Sequence, residues 1–176
     1  MTLEEKKEKL QRALAGYGSV AVAYSGGVDS TFLAAFANHT LAPGNVLLIN
    51  ARSPSFPKEE AEFVDRFAAA EGIRLRCVDT HELEMAEYAD NPPSRCYFCK
   101  TEMYSVMQPI VAAEGMAVLA DGANVDDRAD VRPGMRAAEE HGVVHPLMAA
   151  EMGKSDIRAL SREMDLETWD KPAYAC

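Results

Sequence analysis

The chain alternates two kinds of apolar segment. Short runs at residues 20–23, 46–49, 74–78 and 117–120, each bounded by glycine, charge or turn residues, have the length of strands buried in a sheet. Between them lie longer segments with helical patterning: the small, almost wholly apolar stretch 31–37, then 58–70 and 97–113. Thr2-Leu3-Glu4-Glu5 has the form of a capping box, and the pattern through Leu14 predicts a charged amphipathic helix that Gly16 and Gly18 can end. Further on, 134–140 and 154–164 have helical composition, with His145-Pro146-Leu147 between them. Met103 and Met107, four residues apart, read as core. Strands that alternate with helices predict an α/β fold, a doubly wound parallel sheet covered on both faces. No internal repeat or low-complexity segment interrupts the alternation, and Asn91-Pro92-Pro93 reads as a rigid break inside one domain, 1–176.

Composition narrows the partners. The 176 residues are 48% hydrophobic, enough for one compact core. Eighteen basic against 28 acidic residues give a formal charge of -10, which repels a phosphate backbone and makes nucleic acid a disfavoured partner. No apolar stretch approaches the roughly 20 residues of a membrane span, and the first residues are charged rather than apolar, so a cytoplasmic protein with no membrane partner is expected. Four unevenly spaced cysteines do not make a disulfide framework and suit a reducing compartment.

The chemistry concentrates in Ser25-Gly26-Gly27-Val28-Asp29-Ser30, between the first apolar strand and the small-residue helix. In a doubly wound sheet, ligands sit beyond the carboxyl ends of the strands. The first strand-to-helix turn there offers a phosphate unpaired N–H groups and a helix N-terminus. Gly26 and Gly27 allow positive φ and close approach, while the hydroxyls of Ser25 and Ser30 can donate to the same oxygens. Asp29 would repel a bare phosphate, so its presence implies a magnesium ion between them. The loop lacks the Gly-Lys-Ser/Thr of a Walker motif; the plain structural reading is a glycine turn with a Ser/Asp helix cap.

These residues resemble the PP-loop superfamily, whose Ser-Gly-Gly-x-Asp-Ser loop binds ATP and releases pyrophosphate. Further blocks narrow the resemblance: Ser53-Pro54, Asn91, Arg95-Cys96-Tyr97-x-Cys99-Lys100, Asp121-Gly122-x-Asn124-x-Asp126-Asp127, Asp130-x-Arg132-Pro133-Gly134, Pro146-Leu147, Lys154 and Trp169-Asp170-Lys171-Pro172-Ala173-x-Ala175-Cys176. In that order they are similar to the LarE family of ATP-dependent sacrificial sulfur transferases, which build the nickel-pincer nucleotide cofactor. The resemblance implies an adenine-nucleotide alpha hydrolase-like domain. The implied reaction is adenylation of a carboxylate on a pyridinium mononucleotide, then sulfur delivery to give a thiocarboxylate. It also implies a small-molecule nucleotide substrate, a sulfur donor, ATP and Mg2+ as cofactors, and a homo-oligomer. Family members place the sulfur-handling cysteine where Cys176 stands. In one branch that cysteine becomes dehydroalanine; in another, three cysteines hold a [4Fe-4S] cluster whose open iron carries an extra sulfur. Members usually continue past this cysteine into a further C-terminal region, which is absent from the present 176 residues.

The expected site follows from that resemblance. Ser25, Gly26, Gly27, Asp29, Ser30, Asp121 and Lys154 are expected to bind ATP, with Asp29 also on magnesium, and Arg132 and Asp127 to contact the substrate. Cys176 is the expected catalytic residue with Asp29, and Cys96, Cys99 and Cys176 are the expected cluster ligands. By itself a Cys-x-x-Cys pair suits zinc, a redox disulfide or half of a cluster site. Cys77, inside a strand pattern, reads as a buried hydrophobe. Lys154, Arg158 and Arg162 recur every four residues and form one helix stripe, open to phosphate and carboxylate contacts or to solvent. The acidic run Asp121, Asp126, Asp127 and Asp130 can hold magnesium or simply cap a turn. His39, His81, His141 and His145 show no ligand spacing and read as ordinary surface or core residues. Trp169 is expected to pack the Lys171-Pro172 turn against the sheet. Two rival chemistries use the same loop: a PP-loop tRNA thiolase and a PP-loop amide ligase. A nucleotide-binding module without chemistry is the non-enzymatic alternative.

Overall fold

A computed structural model describes residues 1–80, 95–128 and 132–172; the side chains of Arg95, Arg128 and Arg132 lie outside the description. Elements alternate as the hydrophobic pattern predicts. Helix α1 (Leu3–Tyr17) opens on the Thr2–Glu5 capping box and ends at Gly18, whose φ of 77° a glycine adopts without strain. Then follow β1 (Val20–Ala23), α2 (Val28–Thr40), β2 (Val46–Arg52), α3 (Lys58–Glu71), β3 (Arg74–Asp79), α4 (Arg95–Ala113) and β4 (Val118–Ala120). A 3-10 turn (Val125–Arg128) and three helices, α5 (Arg132–Glu140), α6 (Pro146–Ala149) and α7 (Lys154–Glu163), complete the described part. The 3-10 turn and the short α6 carry too few residues for periodicity to reveal them.

The four strands are parallel in the order β3-β2-β1-β4. Period-2 alternation divides them between two apolar layers. Val20, Val22, Val46, Leu48 and Ala120 face one layer, closed by Leu10 and Leu14 of α1, Phe32 and Leu33 of α2, Val64 and Phe67 of α3, and Ile157 and Leu160 of α7. Ala21, Leu47, Ile49 and Leu119 face the other, closed by Tyr104, Met107 and Val111 of α4 and Ala137 and Ala138 of α5. Both faces of the central strands are therefore covered, which explains why β1 and β2 read as continuous apolar runs. Met107 is buried, and Met103 packs on the same layer, as helical spacing predicts.

Cys77 departs from expectation: it is exposed. Among the described residues β3 is an edge strand, paired to β2 alone, and its sequence Arg-Leu-Arg-Cys-Val-Asp keeps only Leu75 and Val78 against the two layers. A strand pattern gives the face of a residue, but coverage of that face falls away at the edge. The Asn91-Pro92-Pro93 break and His81 lie outside the described residues.

The order of strands places the site. The chain leaves β1 toward β2 and β3 on one side, while β4 pairs on the other, so β1 and β4 flank the topological switch. Val22 pairs with Ala120, and the segments after them leave the sheet side by side. Helices that alternate with parallel strands run back antiparallel to them, so the N-termini of α2 and α4 stand at that carboxyl edge.

The two-layer core and the exposed edge predict opposite mutational responses. Leu48→Ala, at a fully buried position, is expected to cost about 2–5 kcal/mol in urea unfolding, whereas Cys77→Ser is expected to change stability by no more than about 0.5 kcal/mol. A loss at Cys77 comparable to that at Leu48 would contradict the edge assignment.

Candidate functional site

After β1 the chain stays extended for one more residue. Tyr24 N donates to Ile49 O at 2.9 Å, and the buried Asn50 amide donates to Tyr24 O at 2.8 Å. Tyr24 itself is buried, stacked on Phe67 and hydrogen-bonded by Thr31, and desolvation raises its phenol well above the usual range. The turn that follows closes on itself. Ser25 and Ser30 hydroxyls lie 3.0 Å apart, Ser25 N donates to Ser30 Oγ at 3.3 Å, and Gly27 N donates to Ser25 Oγ at 3.3 Å. Gly26 has φ 80°, and a Cβ there would meet Val64 at 3.2 Å, so this position needs glycine twice over. Gly27 has an ordinary φ of -78° and serves as the N-cap of α2, with no side-chain cap, which leaves the first amides of the helix for a ligand.

The segment after β4 presses on this turn. An ideal Cβ on Gly122 would lie 2.9 Å from Ser30 N and 3.1 Å from Asp29 Cβ. Only glycine permits that approach. The remaining polar residues of the Asp121–Asp127 motif build a scaffold. Asp126 N donates to Asn124 Oδ1 and Asn124 N to Asp127 Oδ2, both at 2.9 Å, while Asp126 Oδ2 accepts from Lys154 N at 2.7 Å. The cap reading of the acidic run thus holds for Asp126 and Asp127, and the motif delivers the start of α7 to the glycine loop.

There Lys154 Nζ donates to Asp29 Oδ2. Burial raises the Asp29 pKa, outweighing the hydrogen bond and charge of Lys154; Asp127 adds repulsion in the same direction. Asp29 Oδ1 is buried with no hydrogen-bond partner. A half-satisfied carboxylate beside a second carboxylate, at the start of a helix without a side-chain cap, fits a divalent cation bound through oxygen. Among the described residues no group of three or more His, Cys, Asp or Glu side chains converges as a metal site. Most of the cation's ligands would then come from phosphate and water, as magnesium sites with one or two carboxylates require.

Asp121 is engaged by protein groups. It is buried, its Oδ2 accepts from Tyr104 at 2.7 Å, and its Oδ1 lies 2.6 Å from His145 Nδ1 and accepts from Ala123 N at 3.0 Å. Burial opposes ionisation, but the hydrogen bond and charge of His145, the charge of Lys100 at 3.8 Å and the Tyr104 hydrogen bond outweigh it and hold the carboxyl below its ordinary value. The protein consumes both carboxylate oxygens. His145 lies 24 residues from Asp121 in sequence, so no local spacing signals the pair.

Cys96 and Cys99 stand half-buried in the first turn of α4, three residues apart and hence on one face. Lys100, next along the helix, faces Asp121, which places the pair at the same carboxyl edge as the glycine loop. Cys176 and Asp130 lie outside the described residues; Arg132 begins α5, and its side chain lies outside the description as well.

The segment before that terminus is fastened to the loop. Arg158 donates to Trp169 O and Lys171 O, both at 2.7 Å, and Lys171 Nζ donates to Gly26 O at 3.2 Å and Glu60 Oε2 at 2.5 Å. On the α7 stripe Arg158 thus holds carbonyls, while the exposed Arg162 lies 5.2 Å over the Trp169 ring. Trp169 does not pack on the sheet. It is 38% exposed, because Arg158 turns the backbone so that the ring meets Arg162 at the surface. A groove of about 430 Å³ opens between α3 and this segment, and Glu59, Glu60, Glu62, Glu167 and Asp170 in its lining make it unfavourable to a phosphate.

The raised pKa of Asp29 has a signed consequence. The native state holds that proton more tightly than the unfolded chain, so stability falls as pH rises from the ordinary carboxylate value through the raised one. Stability of the parent relative to Asp29→Asn, read from urea unfolding across pH 3–8, is expected to decline through that window and then level off. A difference that does not vary with pH would contradict the burial of the charge.

No protein-family model matches the chain. It is 41% identical over 174 residues to the Synechocystis protein slr1717. It is also 35% identical over 172 residues, 98% of its own length, to the pyridinium-3,5-bisthiocarboxylic acid mononucleotide synthase of Lactiplantibacillus plantarum. The chain spans less than two thirds of the length of these relatives, 65% and 62% respectively. Its fold matches NH3-dependent NAD synthetase from Campylobacter jejuni with a TM-score of 0.72 at 17% identity, covering 99% of this chain and 80% of that one. It also matches the U34-tRNA thiolase NcsA of Methanococcus maripaludis, solved with its [4Fe-4S] cluster, with a TM-score of 0.67 at 21% identity, covering 98% and 68%. On these grounds the chain is a homologue of the LarE synthase, built on the PP-loop fold.

Proposed function

We propose that the protein is an ATP-dependent sulfur transferase that converts a carboxylate on a pyridinium mononucleotide into a thiocarboxylate. The observation that carries this reading is the 35% identity to the synthase over 98% of the chain, a match long enough to take in the loop, the Cys96–Cys99 helix and the Lys154 helix start. The geometry supports it. The unpartnered amides at the start of α2 would cradle the phosphates of ATP, with Ser25 and Ser30 donating hydroxyls. Asp29 would hold Mg2+, which supplies charge neutralisation for the leaving pyrophosphate, and Lys154, released from Asp29 by the cation, would turn to the same oxygens.

The substrate carboxylate attacks the α-phosphorus; the bond to the bridging oxygen breaks and pyrophosphate leaves, giving an acyl adenylate. Sulfur then attacks the acyl carbon and AMP departs. In the sacrificial form of this step Cys176 supplies the sulfur, its Cβ–Sγ bond breaks with loss of the Cα proton, and dehydroalanine is left. Cys96 and Cys99, half-buried on one face of α4 at the site edge, together with Cys176, are instead the residues that would hold a [4Fe-4S] cluster. Such a cluster would supply a bound inorganic sulfur and spare the cysteine. Arg132 and Asp127 remain the proposed substrate contacts, and the compartment is proposed to be the cytoplasm; among the described residues no helix is long and apolar enough to cross a membrane. The charge of -10 favours a small nucleotide over tRNA.

Protein purified and reconstituted without oxygen is expected to contain iron and acid-labile sulfide. With ATP, Mg2+ and the carboxylated pyridinium mononucleotide it is expected to yield AMP, pyrophosphate and a product in which one oxygen is replaced by sulfur, read by mass spectrometry. Cys96→Ala is expected to lose the iron and keep ATP binding. Full iron content in that variant would remove Cys96 from the ligand set, and ATP turnover that yields an amide with ammonia would replace the transferase reading with that of an amide ligase.

A further inference from the structure

We infer that His145 is a positioning residue for the glycine loop, acting through Asp121 and the Gly122 turn. The inference rests on the reading of that loop as the nucleotide site. The chain of contacts is short and continuous. Val144 lies beside β4 in a single parallel bridge to Ala120: Val144 N donates to Leu119 O at 2.9 Å and Asp121 N donates to Val144 O at 3.2 Å. His145 follows at the N-cap of α6, where its carbonyl accepts from Ala149 N at 2.9 Å and Pro146 fixes the next φ. Its backbone is thus held from both sides, and the imidazole, with only 13% of its side chain exposed, has little freedom.

From that fixed base, Nδ1 lies 2.6 Å from Asp121 Oδ1, the same oxygen that accepts from Ala123 N. This one atom therefore shapes the turn Asp121-Gly122-Ala123. Gly122 in the middle of the turn lies against Ser30 N and Asp29, at a separation that an added methyl group would violate. A carboxylate turned by even a few tenths of an ångström would move Gly122 into or away from the amides at the start of α2. Through Asp121, His145 sets the height of the surface on which the loop rests.

The other ring nitrogen marks the role as specific. Nε2 is buried with no hydrogen-bond partner, so the polar contact of the ring is the one Nδ1 makes to the Asp121 carboxylate. A histidine kept for general packing would cost less as an apolar residue. The position needs a donor at the Nδ1 site, close to the backbone. Asparagine can present one there, whereas glutamine places its amide at the distance of Nε2.

Amide hydrogen exchange on the full chain without nucleotide tests this independently of the functional reading. His145→Gln is expected to raise exchange about tenfold or more in the Gly122–Asn124 and Asp29–Thr31 amides, while the amides of β1 and β2 keep parent rates; His145→Asn is expected to exchange as the parent. Equal rates in parent and both variants, or equal acceleration in both, would overturn the inference. Calorimetric titration with Mg-ATP then addresses the loop's ligand: His145→Gln is expected to weaken binding about tenfold and His145→Asn by no more than about twofold. A parent that shows the exchange pattern but binds no ATP would sink the nucleotide reading and leave the positioning role standing.

Discussion

Two loops meet at the carboxyl edge of the sheet, and the rest of the site depends on how closely they do so. β1 and β4 are adjacent and parallel, so the chain leaves both at the same level: one segment must start a helix there and the other must pass beside it. Gly122 makes the crossing possible, since any side chain would strike Ser30 N and the Asp29 backbone. With the crossing in place, the amides of α2 face outward from a backed surface rather than a mobile turn. Preorganised donors of this kind stabilise developing negative charge without reorganising during reaction.

The charges around that crossing divide into two tiers. Asp121 is buried and fully engaged by Tyr104, His145 and a backbone amide, with Lys100 nearby, and belongs to the framework. Asp29 is less enclosed, has one oxygen on Lys154 and the other without a partner, and has its pKa pushed up by burial. A carboxylate left in that state is costly to the fold, and a cation between it and a phosphate would relieve the cost. The proposed function draws on this imbalance: the satisfied acid holds the loop, and the half-satisfied acid is the one that would meet a ligand.

Much of this was legible in the sequence, for identifiable reasons. The strand and helix pattern was readable because β1 and β2 are covered on both faces, so apolar runs and buried strands coincide. The glycine turn was readable because its contacts close within six consecutive residues. Lys154 was readable as the opening residue of a helix, and it lies at Asp29. Cys77 was misjudged because local alternation carries no information on whether a strand lies at the edge, and Trp169 because its partner is an arginine of another element. The framework role of Asp121 was not foreseen and His145 was passed over, because their pairing spans 24 residues. Lys171, Tyr104 and Lys100 likewise gain meaning only from contacts across the fold.

The central claim is that this edge activates a carboxylate by adenylation before sulfur arrives. Substrate labelled with oxygen-18 in its carboxylate tests it directly. Transfer of one label to the phosphate of AMP, with unlabelled pyrophosphate, is the predicted result, because the carboxylate oxygen becomes the bridge to the α-phosphorus and leaves with it. Label found in inorganic phosphate, or AMP that carries none while thiocarboxylate forms, would contradict the account.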